Sequence, residues 1–139
     1  MAHACNCGEC KTHILAPVYK CQYNLSVVEP VLRPVEWLGD SRERVRAFPR
    51  SAREDVGFQL DRVQRGLDPA DWRPMPLVGV GVIEIRVHAG SEYRVFYLAR
   101  FKHAVYILHA FVKKTPRTAA RDTVLARRRY HDLLRRKKR

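Results

Sequence analysis

The alternation of apolar and polar residues marks residues 82–115 as the stretch around which the rest of the chain is organised. We predict a first strand over Val82–His88, a second over Tyr93–Phe101 and a third over Ala104–Lys113. Only short turns separate these strands. Turns of this length join neighbouring antiparallel strands, so the pattern predicts an antiparallel meander.

The predicted strands also carry more polar side chains than a purely structural sheet requires. Basic or imidazole side chains stand at Arg86, Arg94, His109, Lys113 and Lys114. Successive side chains of a strand point to opposite faces of a sheet. We therefore expect one packed face and one face that is a cationic working surface.

A short strand and a helix are predicted where the domain begins. The strand covers Val35–Leu38, and the helix has Asp40 or Ser41 as its N-cap. Pro49 ends this helix, because proline cannot continue the helical hydrogen-bond pattern.

A second helix is predicted directly after the first. It begins at a capping box in residues 51–54 and ends at Gly66. Val56, Leu60 and Val63 share one side of it and form an apolar stripe. This helical hairpin must bury its stripe, and the packed face of the sheet is the only predicted surface of suitable size.

A loop and a third helix complete the predicted elements. The loop runs from Leu67 to Pro76, with Trp72 as its anchor. The helix opens at Thr115–Pro116 and frays beyond Arg135. Its predicted inner stripe consists of Ala119, Ala126, Tyr130, Leu133 and Leu134.

The first 33 residues differ from the rest and contain all four cysteines. Cys5, Cys7 and Cys10 follow a C-x-C-x2-C pattern, and Cys21 lies further along. Structural zinc sites commonly pair two C-x2–4-C motifs, and only half of that pattern is present. We predict that residues 1–33 are a poorly ordered extension, with a zinc site as the alternative. The domain is assigned to residues 34–135, and residues 136–139 form a basic tail.

Charge indicates the kind of partner. The 139-residue chain carries a formal net charge of +13. From Lys113 to the end, twelve Lys and Arg residues oppose two Asp residues, so this segment carries +10 and the preceding 112 residues carry +3. We interpret the segment as a phosphate-binding flank of the sheet, and a solvated basic helix is the alternative.

The sequence also bears on location. It contains no apolar run near the ~20 residues that span a membrane and no signal-peptide pattern. We therefore expect a cytoplasmic protein with reduced thiols and no membrane association.

Residues 35–134 resemble the RelE/HigB superfamily of toxin ribonucleases, in its phage-derived HigB-like branch. The segments that carry the resemblance are VEWLGDSRERVRAFP, LDRVQRG, IEIRV, YRVFYLARF, VYILHAFVKKT and ARRRY. The resemblance implies an α+β, RelE-like fold, in which a helical hairpin packs on one face of an antiparallel sheet of three or four strands. A basic C-terminal helix completes this expected fold.

The resemblance also implies a function. Such toxins of type II toxin–antitoxin systems are endoribonucleases that cut mRNA, often at the ribosome, without a metal or another cofactor. A cognate helix-turn-helix antitoxin blocks them. We therefore expect a free toxin that is a monomer and a hetero-oligomer with the antitoxin.

Metal-free cleavage uses the 2′-hydroxyl as nucleophile and needs a base, an acid and cations for the phosphoryl charge. Arg94 matches the arginine of the family's central strand, and Arg86 and Lys113 match basic positions on the neighbouring strands. His109 is the candidate general acid or base. Together, Arg94, Arg86, His109 and Lys113 are the expected catalytic residues, and Lys114, Arg117 and Arg121 are expected to bind RNA.

Several of these assignments have structural alternatives. Arg94 can form a salt bridge with Glu84 or Glu92, and His109 can be a satisfied core residue. Tyr93 and Tyr97 lie opposite Arg94 on their strand and are expected to pack rather than to stack on bases. Many RelE-type toxins have a tyrosine after the last strand, where this chain has Thr115 and Pro116. The identities of the acid and the base therefore stay open.

Two other functions also fit the sequence. A basic RNA- or DNA-binding module without catalysis would use the same cations. A phage-derived structural protein would retain the fold without toxicity. A metal-dependent nuclease is disfavoured, because no cluster of Asp and Glu residues lies near the cations of the sheet.

Overall fold

A computed structural model describes residues 32–139. It is an α+β structure with one five-stranded sheet and three helices. In chain order the elements are β1 (Val35–Trp37), α1 (Ser41–Arg46), α2 (Arg50–Gln64), β2 (Trp72–Pro74), β3 (Val82–His88), β4 (Glu92–Leu98), β5 (Val105–Lys113) and α3 (Ala120–Lys138). The predicted α+β class is confirmed, but the sheet has five strands rather than three or four.

The sheet has the strand order β1-β5-β4-β3-β2. Strands β3, β4 and β5 form the predicted antiparallel meander, β2 is antiparallel to β3, and β1 is parallel to β5. The prediction of a plain loop over Leu67–Pro76 is wrong, because Trp72–Pro74 pairs with β3. Proline is tolerated there because β2 is an edge strand. Trp72 is 39% exposed and does not anchor this segment.

The first face of the sheet is covered by α1 and α2. Val56, Leu60 and Val63 are at most 5% exposed and pack on this face, which confirms the predicted stripe. Tyr93 and Tyr97 are buried in the same cluster, as expected for packing residues. The helical hairpin thus buries its apolar side on the sheet.

The second face is packed as well, so the prediction of an open cationic face is wrong. Ala126, Tyr130 and Leu133 of α3 are buried in a second apolar cluster with side chains from β4 and β5. An amphipathic helix of nineteen residues must bury its apolar side, and this face is the surface it covers.

A β-bulge on β5 decides which residues face α3. Phe96 pairs with His109 while the next residue, Tyr97, pairs with Ile107, so Leu108 is the extra residue. Leu108 and His109 consequently both face α3, whereas Ile107 and Ala110 belong to the first cluster. Sequence alternation alone does not reveal such a bulge.

Two predicted helix starts are corrected. Helix α2 begins at Arg50 after Pro49, so Ser51 lies inside the first turn and no side chain caps this end. Helix α3 begins at Ala120 rather than at Thr115–Pro116. The predicted helix end at Gly66 is confirmed, since Gly66 follows the last residues of α2 with a φ of +83°.

The end of the chain is also more ordered than predicted. Helix α3 continues to Lys138 instead of fraying beyond Arg135. The Lys137 ammonium lies 5.1 Å from the centre of the Tyr106 ring and 5.8 Å from that of Phe101. Residues 136–138 therefore belong to the helix rather than to a separate tail.

The predictions for the cysteine-containing extension and its zinc alternative lie outside the described residues. None of the helices within residues 32–139 is long and apolar enough to cross a membrane.

Candidate functional site

The polar end of the second face is built from cross-strand neighbours. Arg86 on β3 lies opposite Arg94 on β4, which lies opposite Phe111 on β5. The adjoining row consists of His88, Glu92 and Lys113. Neighbouring strands are about 4.8 Å apart, so each row brings three side chains within about 10 Å.

Alternating charges link β2, β3 and β4 into a charge ladder. Asp71 lies 3.7 Å from Arg86 and 2.8 Å from His88, and Glu92 accepts hydrogen bonds from His88 and Arg94. In spatial order the ladder contains Arg86, Asp71, His88, Glu92, Arg94, Glu84 and Arg73. The cations of β3 and β4 are thus compensated by carboxylates, and this region is not the predicted cationic surface.

Arg94 forms the salt bridges with Glu84 and Glu92 that the sequence suggests as the alternative to a catalytic role. It is 2% exposed, and its Nη1 atom donates to Glu92 Oε2 and to the Tyr93 carbonyl oxygen, each at 2.9 Å. Its Nε atom lies 3.6 Å from Oε1 of Glu84, which is 1% exposed. The guanidinium therefore serves as the counter-charge of two carboxylates, and a catalytic role for Arg94 stays a prediction.

His88 joins two carboxylates at the exposed part of the ladder. Its Nδ1 atom bonds Glu92 and its Nε2 atom bonds Asp71, each at 2.8 Å. The hydrogen bonds to Glu92 and Asp71 raise the pKa of His88, and the pKa of Glu92 is lowered by its bonds to His88 and Arg94. Both ring nitrogens donate when the ring is protonated, so this arrangement favours the imidazolium form.

His109 lies inside the protein, between the sheet and α3. Its Nε2 atom is 2.7 Å from Asp122 Oδ1, its Nδ1 atom is 3.5 Å from Arg129 Nη1, and its ring stacks on Phe111. Burial is the main cause that lowers the pKa of His109, against the opposing effect of Asp122. A neutral ring that donates from Nε2 to Asp122 satisfies these contacts. The fully buried position matches the core alternative, and its role in catalysis stays a prediction.

A basic cleft of about 240 Å³ lies where β5 ends and α3 begins. Its lining consists of Phe111, Val112, Lys113, Lys114, Thr115, Arg117, Ala119, Arg121 and Asp122. The structure thus brings the predicted catalytic Lys113 together with all three predicted RNA-binding residues. None of these four cations forms an ion pair with another residue in the range 32–139.

The fold and the cleft can be set beside known families. Residues 43–131 match the family described as "Phage derived protein Gp49-like (DUF891)", which covers more than half of the chain. The chain belongs to this phage-derived Gp49-like family. A search of curated proteins and a search of solved structures each gave no match. Membership agrees with the predicted phage-derived, toxin-like class, while the RelE/HigB branch stays a prediction.

One acidic residue of the cleft in this Gp49-like chain, Asp122, is not among the functional residues predicted from the sequence. Among residues 32–139, Asp122 is the only acidic residue in the lining of the basic cleft, and its side chain is 12% exposed. Asp122 lies in the first turn of α3, where an acidic residue commonly stabilises a helix. The sequence therefore gives no sign that Asp122 has another role. Only the contact with His109, thirteen residues earlier, distinguishes it.

Arg129 holds the middle of α3 against β5 and the start of α1. It donates to the Leu108 carbonyl oxygen at 2.9 Å and forms an ion pair with Asp40. Hydrogen bonds from Arg129 and Arg44 lower the pKa of Asp40 to about 2. Asp40 therefore remains ionised and fixes the helix whose N-terminal end forms one wall of the cleft.

Within residues 32–139, no group of three or more His, Cys, Asp or Glu side chains is placed to hold a metal ion. The expectation of a reaction without a metal or cofactor remains a prediction.

Proposed function

We propose that this chain is the toxin of a type II toxin–antitoxin system and acts as a metal-independent endoribonuclease on mRNA, in association with the ribosome. The observation that supports the proposal best is the basic cleft, where Lys113, Lys114, Arg117 and Arg121 converge without carboxylate partners among residues 32–139. A site with this charge suits the phosphodiester backbone of RNA. Membership of the phage-derived family agrees with the proposal.

In the proposed reaction the 2′-hydroxyl attacks the adjacent phosphorus, and the bond to the 5′-oxygen breaks. Lys113 and the two arginines of the cleft stabilise the negative charge that grows on the phosphoryl oxygens. Arg94 and Arg86 lie in the charge ladder, one and two strands away from β5. In this structure these two arginines do not contact the cleft where the phosphate would bind. They help to hold β5, and with it Phe111 and Lys113, in place.

The proposed partners follow from the same assignment. The toxin is a monomer when free, engages mRNA on the ribosome, and is neutralised in a hetero-oligomer by a helix-turn-helix antitoxin. The excess of +10 from Lys113 onward suits both RNA and an acidic surface of a protein inhibitor.

A non-catalytic RNA- or DNA-binding module is the second candidate function. The burial of Arg94 and His109 favours it, because neither side chain reaches the basic cleft in this structure. Such a module would bind through the same cations but leave the RNA intact.

The experiment compares two triple variants that change the net charge equally. Lys114→Gln/Arg117→Gln/Arg121→Gln removes three exposed cations at the cleft. Arg42→Gln/Arg46→Gln/Arg53→Gln removes three exposed cations of α1 and α2, which cover the opposite face. Arg94→Ala is a poor test, because it leaves the buried Glu84 carboxylate with only the half-exposed Arg73 as counter-charge, and losing one partner of a buried pair costs roughly 3–5 kcal/mol.

Each protein is induced in a bacterial host, with growth and mRNA 5′ ends measured at matched soluble expression. We expect growth arrest and new 5′ ends within coding sequences for the wild type and the α1–α2 variant, and neither effect for the cleft variant. Arrest with intact mRNA would favour the second candidate. Normal growth with the wild-type chain would contradict the toxin assignment.

A further inference from the structure

Asp122 is an acidic residue in the lining of the basic cleft. Its negative charge weakens the attraction of the cleft for a polyanion such as RNA. Of the described residues that line the basic cleft, four are basic and Asp122 is the only acid. A site that only binds phosphate gains nothing from a carboxylate at its wall, because the two anions repel each other. The position of Asp122 therefore calls for a chemical role beyond binding.

The second observation is the support of Asp122 from inside the protein. Its Oδ1 atom accepts the Nε2–H of His109 at 2.7 Å. The His109 ring is held in turn by its stacking on Phe111 and by the approach of Arg129 to Nδ1. A buried imidazole thus fixes the orientation of a carboxylate at the edge of the cleft, an arrangement that preorganises a proton acceptor.

We propose that Asp122 is the general base of the proposed RNA cleavage and that His109 is a positioning residue acting through it. This inference rests on the proposed function and assigns the base that the sequence leaves open. Asp122 takes the proton of the 2′-hydroxyl while O2′ forms a bond to phosphorus. The bond from phosphorus to O5′ breaks, and the Lys113 ammonium donates a proton to that oxygen. The products are a 2′,3′-cyclic phosphate and a 5′-hydroxyl.

The structural alternative is that Asp122 only stabilises the start of α3. An acidic residue in the first helical turn contributes about 0.3–1 kcal/mol through the helix dipole. That role predicts a change in stability and no selective loss of cleavage. The two roles are therefore separable when RNA binding, cleavage and folding are measured on the same variants.

The decisive variant is Asp122→Asn. It keeps an oxygen that accepts the His109 Nε2–H but removes the proton acceptor and the negative charge. The control is Asp132→Asn, which changes the other acid of α3, a half-exposed residue that pairs with Arg135. The full-length proteins are compared for cleavage of ribosome-bound mRNA and of a synthetic RNA oligonucleotide. Binding to the same oligonucleotide is measured with its reactive 2′-hydroxyl replaced by hydrogen.

We expect Asp122→Asn to cleave about 10²–10⁴-fold more slowly, the usual effect of losing a general base. Its RNA affinity should be equal to or higher than that of the wild type, because a like charge has been removed. Asp122→Glu should recover part of the cleavage rate, and Asp132→Asn should behave as the wild type does.

A folded Asp122→Asn protein that cleaves at the wild-type rate overturns the inference, and so does a parallel loss of binding and cleavage. If Asp122→Asn does not fold, Asp122→Ser is tested in the same way, since serine places a small neutral hydroxyl at this position. A wild-type protein that binds RNA but never cleaves it overturns the proposed function, and the inference with it.

Discussion

At the scale of single residues, the side chains that suggest chemistry in the sequence mostly have partners in the structure. Arg94 compensates two carboxylates, and His109 lies between Asp122 and Arg129. The sequence identifies Arg94 and His109 as polar residues. Whether either side chain is free to bind substrate or to transfer a proton depends on the residues that it contacts in the fold. Only Lys113 among the predicted catalytic residues lines the basic cleft.

His88 gives a pH-dependent prediction at this scale. Because its pKa is raised, its contribution to stability is complete below about pH 6.5, the pKa of an unfolded-state histidine. The contribution is lost as the pH rises through the folded-state pKa, since the neutral ring donates to only one of its two carboxylates. We expect His88→Gln to lower the free energy of unfolding by about 0.2–1 kcal/mol at acidic pH, as for exposed ion pairs, and by less above neutrality.

Urea unfolding of the wild type and His88→Gln at a series of pH values tests this. The same substitution made in an Asp71→Asn/Glu92→Gln background is the control, because both carboxylates are then neutral. The pH dependence of the difference should disappear there. A stabilising effect of His88 that grows with increasing pH contradicts the proposed ion-pair linkage.

At the scale of secondary-structure elements, local patterns gave the types of the main elements and several of their bounds. The stripe of Val56, Leu60 and Val63 and the ending at Gly66 are visible in the sequence because they depend on residues within a few positions of each other. The strand at Trp72–Pro74 was missed because its pairing with β3, rather than its own composition, makes it a strand. The start of α3 was placed early for a similar reason, since Pro116 is compatible with a turn as well as with a first helical position.

The end of α3 carries a prediction of its own. Lys137 lies over the Phe101 and Tyr106 rings, whereas the neighbouring Lys138, in the same last turn, contacts no aromatic ring of residues 32–139 in this way. Lys137→Gln removes this cation–π contact and should lower the free energy of unfolding by about 0.5–1 kcal/mol. Lys138→Gln removes an equal charge from the same helix end and should have a smaller effect, measured for both by urea unfolding. Equal effects of the two substitutions would mean that only the interaction with the helix dipole is lost.

At the scale of the whole molecule, the arrangement of charge separates two regions on the second face. The charge ladder balances the cations of β3 and β4, while the basic cleft retains a net positive charge. The excess charge lies in the segment from Lys113 onward, which contains all four cleft cations and α3. The fold then brings those cations to the end of β5.

Salt dependence of RNA binding tests this division. For single-stranded RNA the logarithm of the binding constant falls with the logarithm of salt concentration by about 0.7 per phosphate contact. The triple substitution of Lys114, Arg117 and Arg121 by glutamine should therefore reduce the slope by about 2. The matched substitution of Arg42, Arg46 and Arg53 should leave the slope unchanged, as measured by fluorescence titration of a labelled RNA oligonucleotide. Equal changes in slope for both variants would indicate attraction by net charge alone.

The meander, the helical hairpin with its buried stripe, the amphipathic basic helix and the polar positions on the strands are predictable from the amino-acid sequence. These features depend on periodicity and on turn residues that are close together in the chain. Tertiary structure alone decided which face α3 covers, where β2 and β1 join the sheet, and which cations are compensated. Those outcomes depend on contacts such as Arg129 with Asp40, which lie 89 residues apart, and on a bulge that turns His109 toward Asp122. Local patterns carry no information on such pairings, because the partners meet only when the core has formed.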